Sequence, residues 1–196
     1  KTNRGLFKMS TAFIIGNGPS RKSINLDKLI GKGTIYGCNA LYRDFDKYDY
    51  LVSIDKTFQK ILTDLYDKLP ENIIFPPEKE CFEETTGRRN NAGMVAMKEA
   101  IKSGHKKLFC LGFDFLMVDK NRSTDNIYKD SEGYGIETHA NAEDNIHRVS
   151  YLNWFMNEHK DVRFTFVFPT VEMYQLDTDN AYGILIDKFI ENYAGE

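Results

Sequence analysis

Short apolar runs of strand length alternate along the chain with longer stretches in which apolar residues recur every three to four positions. The runs Thr11–Gly16, Thr34–Cys38, Tyr50–Ile54, Asn72–Phe75, Lys107–Leu111 and Val162–Phe168 are rich in Ile, Val, Phe and Tyr. Each closes on Gly, Asn, Asp or Pro, as a strand entering a turn does. Between them, Lys56–Lys68 sets Phe58, Ile61, Leu62 and Leu65 on one helical face, and Ala92–Ser103 does so with Val95, Ala96, Glu99 and Ala100. Gly104 supplies a helix stop. From Glu143, the series Ile146, Val149, Tyr151, Leu152, Phe155 and Met156 predicts a third helix, and Tyr182–Tyr193 a last one.

Such alternation predicts an α/β fold: one Rossmann-like domain with a mostly parallel twisted sheet of about six strands and helices on both faces. Residues 10–196 make that domain, and residues 1–9 are read as an extension or cloning remnant. Met117–Asn141 stands apart. It is polar, rich in Asp, Asn, Ser and Gly, and lacks periodicity, so residues 117–141 are expected to form a long lid loop.

Composition narrows the partners. With 196 residues, 41% of them hydrophobic, the chain can bury one substantial core. A net charge of −3 gives no global reason to expect nucleic acid or an anionic membrane as partner. No stretch approaches the roughly 18 apolar residues of a membrane span, and the start lacks the apolar core of a secretory signal. A cytoplasmic protein is expected, with a homo-oligomer left open. Cys38, Cys81 and Cys110 are odd in number and lack the spacing of a zinc site or disulfide framework, so buried thiols are expected.

The candidate chemistry gathers at strand ends. In Gly16-Asn17-Gly18-Pro19-Ser20 the glycines permit close backbone approach. Main-chain amides, the Ser20 hydroxyl and the Asn17 amide can surround an anionic oxygen. Arg21 breaks the full dinucleotide fingerprint, and a plain strand-to-helix turn is the competing reading. Position favours a ligand, because open α/β sheets bind at the carboxyl ends of their strands. Asn39 and Asp55 close the second and third strands, as ribose or base contacts or as ordinary caps.

Gly87-Arg88-Arg89-Asn90-Asn91-Ala92-Gly93 opens a helix whose N-terminus favours anions, with a solvated basic loop and an Asn cap as the alternative. Gly112 and Asp114 close the fifth strand, where Asp114 can meet a sugar hydroxyl or cap a turn. His139 lies at the junction of the long loop and a helix, where an imidazole can act as a general base near neutral pH. His147 and His159 read as surface or packing residues. Asp114, His139 and Asp144 could gather around a divalent cation, but no Asp-x-Asp or spaced His pair supports a metal, and none is expected.

Taken in order, Ile14–Ser20, Cys38-Asn39, Arg89–Ala96, Lys107–Phe115 with Gly-Phe-Asp-Phe, and the His139 segment resemble the bacterial sialyltransferases of glycosyltransferase family 42. The resemblance implies a glycosyltransferase that moves a sugar from a nucleotide-sugar donor such as CMP-sialic acid to an acceptor hydroxyl of a glycan, without metal or other cofactor. It implies Asn17, Gly18, Ser20 and Asn39 as donor contacts, with Asp55 where the family has a ribose-contacting asparagine. Arg89, Asn91 and Ala92 fall on the donor-binding helix entry, and His139 on the catalytic base. Leu116 stands where the family carries a tyrosine that assists the leaving phosphate, which makes Tyr128 and Tyr134 its candidate replacements. Two other readings share the core: a magnesium-dependent pyrophosphokinase-like phosphoryl transfer, and a non-catalytic nucleotide- or glycan-binding module.

Overall fold

The computed structural model describes residues 10–118, 126–135, 142–169 and 172–195. Seven strands form one parallel sheet: β1 Thr11–Ile15, β2 Thr34–Cys38, β3 Tyr50–Val52, β4 Ile73–Ile74, β5 Lys107–Leu111, β6 Arg163–Phe168 and β7 Ala181–Leu185. Their order across the sheet is β4-β3-β2-β1-β5-β6-β7. From β1 the chain steps outward to β4, then returns to β5 on the other side of β1 and steps outward to β7. The reversal between β1 and β5 is the topological switch point, where open α/β sheets hold ligands beyond the strand ends.

Alternation in the central strands builds both faces of the core. Ala12 and Ile14 of β1 and Leu108 and Cys110 of β5 pack on one face, under helices α2 Ala92–Lys102 and α3 Ala142–Glu158. Phe13, Ile15, Phe109 and Leu111 point to the other, with Leu62 of α1 Lys56–Leu65. That second face is closed by the short 3-10 turns Pro19–Ser23 and Leu26–Leu29, and by helix α4 Ile186–Phe189 with its π turn Ile190–Ala194. Phe13, Phe109, Phe189 and Tyr193 form a chain of ring contacts there, with centroids 4.6–6.3 Å apart. All three cysteines are buried and free, and burial pushes the Cys38 thiol up to about 12.

Several expectations shift. The sheet has seven strands rather than about six, because the last helix, expected from Tyr182, begins only at Ile186. Ala181–Leu185 is β7 instead, paired in parallel with β6. Gly183 accounts for part of this, since glycine costs a helix about 1 kcal/mol relative to alanine. On α3, Ile146 is 55% exposed while Asn145 is fully buried. The buried stripe runs Asn145, Val149, Leu152, Met156, and Ile146 lies about 100° around the helix from it. Leu65, at the end of α1, is exposed as well. No helix among the described residues is long and apolar enough to cross a membrane.

Candidate functional site

At the switch point two strand-end loops lock onto each other. The Gly16 amide donates to Leu111 O at 2.8 Å and the Gly18 amide to Gly112 O at 3.0 Å. Gly112 adopts φ +70, a conformation that favours glycine. A Cβ on Gly18 would lie 2.3 Å from Asp114 Cγ, so no larger residue fits there. Asp114, nearly buried, accepts the Ser20 amide at 2.9 Å and the Ser20 hydroxyl. The amides of Gly16, Gly18 and Ser20 are therefore engaged by protein acceptors. Gly16, Gly18, Ser20, Gly112 and Asp114 form a scaffold, and Asn17 is the side chain it presents.

Asn17 is buried and bridges two strand ends. Its amide donates to Cys38 O at 3.0 Å, and reaches the Tyr134 hydroxyl at 3.5 Å. Asn39 follows directly in left-handed backbone, φ 46, which asparagine tolerates better than most residues. Its amide donates to Asp55 Oδ2 at 3.2 Å, while its buried Oδ1 has no hydrogen-bond partner among the described residues. Asp55 precedes α1 without capping it, and its half-exposed carboxylate also lies 3.8 Å from Arg89 Nε.

Arg89 is fully engaged by protein. It pairs with Glu78 at 2.9 Å, donates to Ile54 O and lies 5.4 Å over the Phe82 ring. The Arg89 hydrogen bond holds the Glu78 carboxyl below its ordinary range. Asn91 caps α2, accepting the Met94 amide at 2.9 Å, and its buried Nδ2 has no partner among the described residues. Ala92 is buried at the first turn. Because helices connecting parallel strands run back across the sheet, this entry shares the carboxyl edge with Asn39 and Asp55.

Residues 126–135 fold onto the same edge. The Ile127 amide donates to Asn17 O at 2.8 Å, and Arg43 donates to Ser131 Oγ and Glu132 O, each at 2.8 Å. Tyr134 packs against Phe58 at 4.8 Å and Tyr128 at 5.9 Å. Burial pushes the Tyr134 hydroxyl up to about 12, countered in part by the Asn17 and Asn39 amides. It stays protonated at neutral pH and can donate to an anion. Tyr128 differs, because its hydroxyl donates to Asp44 and accepts from Arg21. Leu116 is fully buried in the core.

His139 lies outside the described residues. His147 is half-buried, 3.7 Å from Glu143, and His159 packs on Phe155 with burial lowering its pKa. The imagined trio of Asp114, His139 and Asp144 loses two members: Asp114 holds Ser20, and Asp144 pairs with Arg88 at 2.9 Å. No group of three or more His, Cys, Asp or Glu among the described residues is placed to hold a metal. Sequence reasoning missed Arg21, which it met only as a broken fingerprint, and Asp44, which no motif marks.

No family model matches the chain, and no curated protein matches its sequence. Solved structures do resemble it. The monofunctional α-2,3-sialyltransferase Cst-I of Campylobacter jejuni matches with a TM-score of 0.51 at 17% identity, over 83% of this chain and 77% of that one. The sialyltransferase CstII of the same organism, in complex with cytidine-5'-monophosphate, matches with a TM-score of 0.48 at 15% identity, over 90% and 89% of the two chains. At this identity the likeness is one of fold, and the chain shares the α/β fold of Cst-I.

Proposed function

We propose that the chain is a metal-independent glycosyltransferase that moves a sugar from a nucleotide donor to an acceptor hydroxyl, with His139 as general base. The observation that carries this reading is a polar cluster left incomplete by the protein. At the carboxyl edge of β2 and β3, Asn39 Oδ1 is buried without a partner among the described residues, beside the half-exposed Asp55 carboxylate and the neutral Tyr134 hydroxyl, and Asn91 Nδ2 at the α2 entry is likewise buried without a partner among them. Buried polar atoms cost about 1–3 kcal/mol each when unpaired, so such a cluster is suited to a ligand rich in hydroxyls and amides. A nucleotide sugar is that kind of ligand. The fold shared with Cst-I, an α-2,3-sialyltransferase, supports the same reading, and the sequence resemblance makes a CMP-activated sugar the first donor to try.

In this account Asn39 and Asp55 take the ribose or base, and Asn91, over the buried Ala92, faces the donor at the helix entry beside Arg89. Tyr134 assumes the work of the tyrosine replaced by Leu116: a protonated hydroxyl stabilises charge on the leaving phosphate without a cation. Tyr128 braces Tyr134. His139 removes the acceptor proton as that oxygen attacks the anomeric carbon, and residues 117–141 cover the donor. A glycan or other hydroxyl compound is the partner.

The test is a thermal-shift panel of CMP, UDP, GDP and ATP with and without magnesium, followed by turnover of the matching sugar donor. A nucleotide at about 100 times its dissociation constant should stabilise the fold by about 2.7 kcal/mol. Histidine 139 replaced by alanine should slow transfer by about 10²–10⁴-fold at unchanged donor affinity. A shift that requires magnesium would favour phosphoryl transfer, and binding without turnover of any donor would favour a binding module.

A further inference from the structure

A buried guanidinium lies at the root of the site. Arg21 is 3% exposed and meets four acceptors: Gly16 O at 2.8 Å from Nε, Asp44 Oδ2 at 3.2 Å, Tyr128 Oη at 3.1 Å and Asn17 Oδ1 at 3.4 Å. These come from three stretches far apart in sequence: the glycine loop, the turn after β2, and residues 126–135. The Tyr128 hydroxyl also donates to Asp44, which closes a ring of three side chains. A charge so deeply buried tolerates little displacement of its partners, since each bond replaces lost hydration.

Both halves of the Asn17–Tyr134 contact hang from this ring. By holding Asn17 Oδ1, Arg21 turns the Asn17 amide toward Cys38 O and the Tyr134 hydroxyl. By holding Tyr128, it fixes the ring that stacks on Tyr134 at an interplanar angle of 25°. A backbone bond completes the seam, with the Ile127 amide donating to Asn17 O, while the Asp130 amide donates to Tyr134 O within the segment. We infer that Arg21 is a positioning residue that clamps residues 126–135 to the glycine loop and aims the Tyr134 hydroxyl. Its catalytic consequence rests on the transfer reading; the clamp does not.

Amide exchange tests the clamp, and kinetics its consequence. In Arg21→Leu, and more mildly in Tyr128→Phe, the Ile127, Asp130 and Tyr134 amides should exchange about 10-fold or more faster, with β1 and β5 unchanged. Donor turnover by Arg21→Leu should lose about 10–100-fold in kcat at nearly constant KM, with partial recovery in Arg21→Lys. Because Arg21 acts through Tyr134, Arg21→Leu/Tyr134→Phe should be no slower than Tyr134→Phe alone. Unchanged exchange at 127–134, or exchange raised equally across the sheet in both Arg21→Leu and Tyr128→Phe, overturns the clamp. Multiplicative loss in the double variant overturns its catalytic role. A wild type that transfers no sugar defeats the transfer reading and leaves exchange to decide the clamp.

Discussion

Two neighbouring stretches of the same sheet edge treat their polar groups in opposite ways. Over β1 and β5, the Gly16 and Gly18 amides donate to Leu111 O and Gly112 O and the Ser20 amide donates to the Asp114 carboxylate, and the glycines permit that closeness. Over β2 and β3, Asn39 and Asp55 meet each other, but among the described residues Asn39 Oδ1 is buried without a partner and Asn91 Nδ2 has none either. A glycine-rich strand end that looks like a binding loop is here the closed part of the site. The open part is the asparagines beside it.

The largest effect should come from forcing the closed side apart. Gly112→Ala places a Cβ 2.6 Å from Gly16 O at φ +70, where neither backbone can yield, and should cost about 3 kcal/mol in a denaturant melt. The open side should respond in affinity. Asn39→Gly suits the left-handed backbone, so the melting temperature should hold while nucleotide binding weakens by about 10–100-fold in titration calorimetry. Ser20→Ala removes one bond to Asp114 and should cost about 1 kcal/mol of stability with nucleotide affinity within about threefold of wild type. If Ser20→Ala abolished binding at full stability, the closed side would have to be redrawn as a ligand contact.

The last effect is in pH and shows only at the alkaline end. Burial raises the Tyr134 pKa from about 10 in the unfolded chain to about 12 in the fold. Between those values the folded state holds the proton more tightly, so this contribution is complete below about pH 10 and is lost as pH rises through 12. Tyr134→Phe should flatten the alkaline decline of stability, read as melting temperature from pH 9 upward. Insensitivity of that decline to Tyr134→Phe would place the hydroxyl in water.

Much of the fold was legible. Apolar runs marked six strands, and the 3.6-residue period marked the helices, because burial against a sheet imposes those repeats. The seventh strand was not legible, since Ala-Tyr-Gly-Ile-Leu is half-exposed at the sheet edge and carries no alternation. Strand-end logic put Asn17, Asn39, Asp55, Arg89 and Asn91 at the carboxyl edge of the sheet, and that is where they lie. Which acceptors the Gly16 and Gly18 amides meet was not legible, because it depends on a loop ninety-odd residues away. Arg21 escaped notice for the same reason: its partners Asp44 and Tyr128 are 23 and 107 residues distant. A lone arginine in a turn reads as solvated until those partners are known.

The central claim is that a nucleotide binds on the asparagine side of this edge. Calorimetric titration of CMP into wild type and Asn39→Gly, without magnesium, tests it most directly. The account expects wild type to bind and the variant to bind about 10-fold or more weakly at the same melting temperature. Equal affinity in the two proteins, or no nucleotide binding by wild type, would contradict it.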